Sequence, residues 1–293
     1  MKQEIIRLWS ACNQKCLFCN QEDIFDAKWK AAILTELLQS KKKGVQRIVI
    51  SWWEPTLFRS QLEFTISTSL RLWFQEIELQ SNAVLLSNKT YAEKLKSLWL
   101  TRAMISLHAF DSETSDSLTQ AKWTHTLTIK WIKNLIDTWV STTLNFVTNR
   151  FNYTQLPQYT QYMHKNIDWF SSISFSIVVP GTLTKQFDLL PKYSLIAPYL
   201  KKAYQYCIDN SIHFQNPWCG IPVCFIPEYF EYSLEYQSLR SQEQSDEFIL
   251  EKNSGNKSQG PECARCHYNT SCLWVWKWYS DMYGYWELSP IIQ

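Results

Sequence analysis

Cysteines are the residues of this 293-residue sequence best suited to do chemistry, and there are nine of them. The stretch CNQKCLFC places Cys12, Cys16 and Cys19 in a C-x3-C-x2-C pattern. Three thiolates on one short loop can bind three irons of a [4Fe–4S] cluster and leave the fourth iron open. The alternative is a zinc knuckle, although a closed zinc site takes four ligands and no fourth Cys or His lies nearby. Cys207, in the helical stretch KKAYQYCIDN, is predicted to be a buried core thiol.

A second group of cysteines lies in the C-terminal third of the chain. Cys219 and Cys224 precede a C-x2-C-x5-C segment made by Cys263, Cys266 and Cys272. This group could hold a second iron–sulfur cluster or a structural zinc, and the spacing leaves both open because each accepts four thiolates.

Charge and hydropathy narrow the class of protein. The net charge of +2 gives no electrostatic reason to expect nucleic acid or a membrane surface as a partner. The N-terminal stretch MKQEIIRLWSACNQ has no signal-peptide apolar segment, and no apolar run reaches the length of a membrane span. We therefore expect a cytoplasmic protein whose cysteines are reduced thiols rather than disulfides.

Two residue counts are unusual together, because the chain has 6 glycines and 15 tryptophans. Ordinary glycine usage would give roughly 20 in a chain of this length, and the two counts together come close to that. The chain is therefore either rich in tryptophan and poor in glycine, or has tryptophan written at glycine positions.

Local context favours the second interpretation. Gly44 lies between a helix-like stretch and a strand-like run, where a helix end needs a positive φ. Trp99 and Trp139 occupy the same kind of junction, and a bulky side chain is poorly suited to it. We hypothesise that the gene uses UGA for glycine and was translated as if UGA meant tryptophan. Other tryptophans in turn-like or cysteine-flanking places are Trp218, Trp274, Trp276 and Trp278.

Apolar β-branched runs alternate with amphipathic helical stretches over the first two thirds of the chain. This alternation predicts parallel strands joined by crossover helices, as an α/β partial (β/α)6 TIM-like barrel. Its active site would lie at the carboxyl ends of the strands. We expect a core at 1–211 and a small cysteine-rich domain at 212–293. The predicted strands lie near 4–9, 47–51, 77–81, 103–107, 142–147 and 173–178.

The C-x3-C-x2-C motif, with Phe18 before its last cysteine and its place after the first strand, resembles the radical S-adenosylmethionine (radical SAM) superfamily. That family carries a Gly-Gly-Glu-Pro motif after its second strand, and this chain has WWEP at 52–55. It departs from the pattern only at the two glycines. SLHAFDSET and TLNFVTNRFNY also look like this superfamily, and the resemblance covers about residues 4–180.

The resemblance implies a reaction. Cys12, Cys16 and Cys19 would hold a [4Fe–4S] cluster whose open iron binds S-adenosylmethionine (SAM). One electron, from a donor such as a flavodoxin or ferredoxin, would cleave SAM to methionine and a 5′-deoxyadenosyl radical. That radical would abstract hydrogen from the substrate, so the cofactor carries the chemistry and the protein positions it.

The resemblance also implies contacts to SAM. Glycines in place of Trp52 and Trp53 would let backbone carbonyls approach the SAM amino group, and Glu54 would support that same end. Ser106 and Asn145 are candidates for SAM ribose or carboxylate contacts, with ordinary strand-end hydrogen bonds as the alternative.

His108 also ends a strand and could face substrate, although an isolated histidine at such a place is more often structural.

The tail resembles the twitch or SPASM-type extensions of the superfamily, which hold an auxiliary [4Fe–4S] cluster. Because no cysteine follows Cys272, we expect one auxiliary cluster, bound by Cys263, Cys266, Cys272 and either Cys219 or Cys224.

A peptide or protein is the first substrate expected from this resemblance, and a small molecule of cofactor biosynthesis is the alternative. A non-catalytic iron–sulfur or zinc protein that has lost SAM binding would follow if both indoles at 52 and 53 are real.

Overall fold

The protein is built around a seven-stranded sheet in which every pair of neighbours is parallel. The structure, a computed structural model, describes residues 1–21, 25–167, 169–179, 181, 185–186, 188–240 and 255–292. The strands follow one another across the sheet in chain order. They are β1 (Gln3–Ile6), β2 (Arg47–Ile50), β3 (Glu76–Ser81), β4 (Arg102–Ser106), β5 (Ser141–Thr148), β6 (Ser172–Ile177) and β7 (Phe214–Gln215).

Helices connect the strands, as parallel pairing requires. None of the helices in the described ranges is long and apolar enough to cross a membrane. Beyond the large sheet, β8 (Lys257–Ser258) and β9 (Val275–Trp276) form a small antiparallel pair. The helices are α1 (Lys30–Lys42), α2 (Arg59–Arg71), α3 (Lys89–Ser97), α4 (Ser112–Thr119), α5 (Thr124–Asp137), α6 (Leu156–Asn166), α7 (Tyr193–Asp209), α8 (Leu234–Arg240) and α9 (Lys277–Tyr283).

The predicted α/β class and the six predicted strands are confirmed. The sheet also has a seventh strand, β7, which was not predicted because two residues show no periodic pattern. It lies just after the predicted boundary at 211 and pairs with β6. Because β7 belongs to the large sheet but lies beyond residue 211, the division into 1–211 and 212–293 stays a prediction. Residues 241–254, part of the polar stretch that includes the end of α8, lie outside the described residues.

The two faces of the sheet differ in chemistry, because side chains alternate along each strand. One face is apolar and packs against the helices, with residues such as Ile48, Ile77, Ile105, Leu144 and Phe175 fully buried. The other face is polar. In β2 to β6 it carries Arg47, Val49, Glu76, Glu78, Gln80, Arg102, Met104, Ser106, Ser141, Thr143, Asn145, Val147, Ser172, Ser174 and Ser176, most of which are polar.

An ion-pair network occupies the amino-terminal part of this polar face. Arg47 lies 2.6 Å from Glu76, and Arg102 lies 3.5 Å from Glu78. Longer contacts of 3.9 and 3.8 Å cross-link the two pairs. The network closes one end of the polar face with matched charges, and leaves the carboxyl end to shorter polar side chains.

A single hydrogen-bond pattern ends several helices. After α1, the backbone N–H of Gly44 donates to Lys41 O at 3.0 Å, and that of Val45 donates to Ser40 O at 3.1 Å. Gly44 has φ of 74°, and Val45 is buried. These are the features of a Schellman motif, which ends a helix with a left-handed residue followed by an apolar contact.

The same pattern recurs after α2, α3 and α5, with tryptophan in the glycine position. Trp73, Trp99 and Trp139 have φ of 60°, 82° and 60°, and their N–H groups and those of the next residues bond as at α1. The predicted helix-end position with a positive φ is confirmed for Trp99 and Trp139, and Trp73 occupies a third such position. A left-handed conformation costs an L-residue roughly 1–2 kcal/mol.

The C-terminal segment packs against α7 through tyrosines. The rings of Tyr193 and Tyr279 stack with centroids 3.9 Å apart, and the Tyr193 N–H donates to the Tyr279 hydroxyl at 3.0 Å. Tyr283 donates its hydroxyl to Leu190 O at 2.8 Å. The cysteine-rich segment is thus fixed to the element that precedes β7.

Candidate cofactor site at the carboxyl edge of the sheet

The loop that carries the first three cysteines leaves β1 and is fixed at both ends. At its base, the Ser10 hydroxyl donates to Phe25 O at 2.6 Å and accepts from Phe25 N at 2.9 Å. Further along, Lys15 N and Leu17 N donate to the backbone at the end of α4, each at 2.9 Å. The loop therefore crosses from β1 to the connection after β4, over the carboxyl edge of the sheet.

The three thiols of this loop lie close enough to affect one another electrostatically. Burial raises the pKa of Cys12 to about 11, and the Gln14 N–H, 3.4 Å from its sulfur, opposes the rise. Burial, and then the neighbouring Cys12 and Cys19 sulfurs, raise the pKa of Cys16 further. The three predicted ligands are thus electrostatic neighbours on one loop, although in the described part of the chain they do not form a group placed to hold a metal ion. Partial burial shields them from water, and thiolates form there most readily with a cation present.

The turn after β2 lies beside this loop. The Glu54 N–H donates to Ala11 O at 3.0 Å, which joins the turn to the residue before the first cysteine. Trp52 and Trp53 have φ of 82° and 56°. The guanidinium of Arg7 lies 3.7 Å from the centre of the Trp52 ring, and the buried Nε1 of that ring has no hydrogen-bond partner among the described residues.

Glu54 is fully buried, and the chain's own donors surround its carboxylate. Asn82 N and the Ser81 hydroxyl each donate to it at 2.8 Å, Thr56 N donates at 3.0 Å, and the Thr56 hydroxyl is also bonded. Burial raises the pKa of this carboxyl, and the donated hydrogen bonds oppose the rise. Glu54 therefore holds the ends of β2 and β3 together, and its predicted contact to SAM stays a prediction.

Asn82 links that carboxylate to the cysteine loop. Its side-chain amide donates to Asn13 Oδ1 at 2.7 Å and lies 3.6 Å from the Cys12 sulfur. Sequence reasoning missed Asn82. Its only signal was its place just after the end of β3, where polar residues of a parallel sheet converge.

Ser106 ends β4 and pairs with Asn145, which lies within β5 rather than at its predicted end, because β5 continues to Thr148. They share the polar face of the sheet, and Asn145 accepts a hydrogen bond from Ser176 at 2.9 Å. That contact fits the strand-end alternative for Asn145. The structure places the two residues together and does not test their predicted contacts to SAM.

His108 is a buried residue that bridges two strand ends. Its Nδ1 accepts from Val147 N at 3.0 Å, and its ring meets Phe18 of the cysteine loop edge to face at 4.6 Å. Burial lowers its pKa to about 3, so the imidazole is neutral. These contacts support a structural role.

The second group of cysteines also converges. Burial raises the pKa of Cys224 to about 12, and Cys263 and Cys266 contribute to the rise. Burial and nearby charges, including those of Cys224 and Cys263, raise the pKa of Cys272. Within the described ranges, no three Cys, His, Asp or Glu side chains already form a metal-binding arrangement. Cys207 is buried in α7, as predicted.

Glu235 is a second residue that the sequence did not reveal. It is buried, accepts from Leu273 N at 3.4 Å, and raises the pKa of Cys272. Its other carboxylate oxygen has no partner among the described residues. An acid beside the second cysteine group is visible only once α8 is packed against that group.

The sequence profile of the radical SAM superfamily matches residues 6–155, just over half of the chain. The chain belongs to the radical SAM superfamily. Membership implies a [4Fe–4S] cluster and SAM, and the thiols at Cys12, Cys16 and Cys19 are a donor set of the right chemistry for that cluster.

Curated relatives within the superfamily share the name "Probable GTP 3′,8-cyclase". The one from Saccharolobus solfataricus is 34% identical over 151 residues, which are 50% of this chain and 48% of that protein. The one from Methanococcus maripaludis is 27% identical over 232 residues, which are 73% of this chain and 75% of that protein. The match thus spans about half the length of the first relative. These relatives support the expectation of a radical SAM enzyme.

Solved radical SAM structures share the fold. Streptococcus suis SuiB bound to S-adenosylmethionine superposes with a TM-score of 0.61 at 19% identity, over 72% of this chain and 49% of that chain. The protein anSMEcpe, with bound AdoMet and a Cp18Cys peptide, gives 0.62 at 13% identity, over 73% and 63%. At these identities the likeness concerns the fold alone. The superfamily prediction is confirmed, and the twitch or SPASM-like domain stays a prediction.

Replacing Glu54 should loosen the turn beside the cysteine loop. In the Glu54→Gln variant, an amide N–H would face the backbone donors of Thr56 or Asn82, so the free energy of unfolding should fall by about 1–3 kcal/mol. Urea unfolding of the metal-free chain measures this. Glu63→Gln is the matched control, because its partner is the half-exposed Lys94 at 2.8 Å, and it should cost less than about 1 kcal/mol. Equal losses would contradict the role given to Glu54.

The raised pKa of Cys12 predicts slow alkylation at neutral pH. A rise from 9.0 to about 11 lowers the thiolate fraction near pH 8 roughly 100-fold relative to the unfolded chain. Iodoacetamide labelling of the metal-free chain, followed by peptide mass spectrometry, measures the rate at Cys12. Between pH 9 and 11 the folded rate should keep rising while the rate in urea levels off. Parallel pH profiles would contradict a raised pKa.

Proposed function

We propose that this chain is an enzyme that cleaves SAM reductively and removes a hydrogen atom from a bound substrate. The observation that carries the proposal is the Cys12–Cys16–Cys19 loop, which lies across the carboxyl edge of a parallel sheet within the segment that matches the superfamily. When bound, the cluster and SAM supply the 5′-deoxyadenosyl radical. The electron comes from a donor such as a flavodoxin or ferredoxin.

The chain's own residues prepare this site. The contacts of the loop to the end of α4 set its path, and the amide of Asn82 lies beside the Cys12 sulfur. The raised pKa values of Cys12 and Cys16 mean that binding a cluster releases their protons. Glu54 positions Asn82, and so acts on the cysteine loop through another residue.

We propose further that the second cysteine group holds an auxiliary [4Fe–4S] cluster in a twitch-like unit. The electrostatic coupling of Cys224, Cys263, Cys266 and Cys272 supports these four as its ligands. Cys219 stays the alternative to Cys224, because the sulfurs of both lie close enough to Tyr193 to raise the pKa of its hydroxyl. A structural zinc at the same four thiols is the alternative, since it accepts the same donors.

The substrate is better matched to a small molecule than to the peptide first expected. The relatives that share sequence with this chain carry the name of a GTP cyclase, whereas the peptide-bound structures share only the fold. The polar face of the sheet also suits a polar substrate. We therefore propose a purine nucleotide as the substrate class.

Cysteine variants test the cofactor assignment. After anaerobic reconstitution, the intact chain should hold about eight irons, four per cluster, and form 5′-deoxyadenosine from SAM. Cys16→Ser should lose about four irons and all SAM cleavage, and Cys266→Ser about four irons with the SAM-binding cluster retained. Cys207→Ala, a cysteine outside both groups, is the control and should retain about eight. Zinc in place of the first cluster, or iron without SAM cleavage, would refute the enzyme and favour the non-catalytic alternative. Zinc with about four irons and intact SAM cleavage would refute only the auxiliary cluster.

Stimulation of SAM cleavage by added nucleotide tests whether the substrate is a purine nucleotide. Added GTP should raise the rate of 5′-deoxyadenosine formation several-fold and yield a product derived from GTP, because a bound substrate couples SAM cleavage to hydrogen abstraction. Liquid chromatography with mass spectrometry measures both, with ATP as the matched nucleotide. Stimulation by a peptide encoded beside the gene, with none from GTP, would restore the peptide expectation.

A further inference from the structure

We infer that the chain made in its native cells carries glycine at seven positions that are written here as tryptophan. The inference does not rest on the proposed function, because it comes from backbone conformation. At all seven positions the backbone has a positive φ, between 56° and 82°. The positions are Trp52, Trp53, Trp73, Trp99, Trp123, Trp139 and Trp274.

The helix ends give the clearest argument, since the chain contains its own reference. Gly44 ends α1 in a Schellman motif, and Trp73, Trp99 and Trp139 end three other helices in the same motif. In each case the apolar residue that follows is buried and makes the contact that the motif needs. The left-handed conformation at this position is free of strain only for a residue without a β-carbon.

The indoles at these helix ends lie in solvent. Trp73 is 83% exposed, Trp99 53% and Trp139 88%. A tryptophan held against its conformational preference is expected to be compensated by burial of its large ring. These three rings are largely exposed, so packing offers little compensation, and glycine would fill the slots without strain.

Trp123 and Trp274 repeat the conflict at turns. Trp123 precedes α5 with φ of 67° and 79% exposure, while its N–H donates to Asp116 at 3.1 Å. Trp274 has φ of 63°, and its N–H donates to the Cys272 sulfur at 3.2 Å. In both cases the backbone N–H makes a contact of the turn that glycine would keep, although the Trp274 indole also donates to Asn269 O at 3.0 Å.

The pair at 52 and 53 concerns the site itself. Two consecutive left-handed residues form the turn that adjoins the cysteine loop. The Trp52 ring occupies space against Arg7, and its buried Nε1 has no partner among the described residues. Glycines there would remove both indoles from the turn that adjoins the cysteine loop.

Tryptophan is concentrated at positive φ in this chain. It supplies 15 of the 293 residues, yet it accounts for seven of the eleven non-glycine residues with positive φ in the described part of the chain. Asparagine and aspartate are the residues usually enriched there, and a bulky residue is an outlier. A single cause fits all seven: a UGA codon that means glycine in the source and was translated as tryptophan.

The decisive experiment is to read the seven residues in the native protein. Tandem mass spectrometry of the chain isolated from its own cells should give glycine at every one of the seven positions, with UGA in the coding DNA. Gly44, encoded by an ordinary glycine codon, is the internal control. Tryptophan at these positions, or UGG codons there, would overturn the inference.

Paired variants test the physical argument separately. Trp99→Gly should raise the thermal midpoint of the metal-free chain by about 2 °C, and Trp99→Ala by less because it keeps a β-carbon. The reverse change, Gly44→Trp, should lower the midpoint. Trp286→Gly, at a 95% exposed site without positive φ, is the control and should give no rise.

If Trp99→Ala matched or exceeded Trp99→Gly, the conformational argument would fail. SAM cleavage is a readout of neither experiment. A native chain with glycine at all seven positions that cleaves no SAM would refute the proposed function and leave this inference standing.

Discussion

The site depends on one buried carboxylate. Glu54 accepts hydrogen bonds from Thr56, Ser81 and Asn82. Ser81 ends β3, and the other two belong to the connections that follow β2 and β3. A carboxylate buried without such donors would carry a large desolvation cost. The same bonds that satisfy it therefore fix the spacing of two strand ends, and Asn82 passes that constraint to Cys12. The position of the first thiol thus follows from how one negative charge is solvated by the protein.

The sheet separates folding from chemistry. Its apolar face, with residues such as Ile77 and Phe175, is buried against helices and supplies the hydrophobic stabilisation. Its polar face carries ion pairs at the amino-terminal end and small polar side chains such as Ser106 and Asn145 toward the carboxyl end. Parallel sheets buried on both faces normally read as continuous apolar runs. The alternation seen here instead leaves one face of the sheet mostly polar.

Short-range patterns predicted the parts of the site that adjoin one another in the chain. Cys12, Cys16 and Cys19 were found from their spacing, and the turn at 52–55 from its resemblance to the Gly-Gly-Glu-Pro motif of the superfamily, because each set lies within a few residues of the chain. Asn82 and Glu235 could not be found in this way, because their roles depend on contacts with residues 69 and 38 positions away. The two-residue strand β7 escaped for another reason, since pairing with β6 rather than its own sequence defines it.

The repeated helix ends have a consequence for how a codon is interpreted. A Schellman slot responds to the presence of a β-carbon and hardly at all to what lies beyond it. A chain that uses the motif at α1, α2, α3 and α5 therefore carries several independent copies of one backbone requirement. Glycine occupies one of these helix ends and tryptophan occupies the other three. The shared backbone geometry therefore indicates which amino acid the codon at those three positions specifies in the source. Protein conformation can then check the translation of a gene without any knowledge of its source.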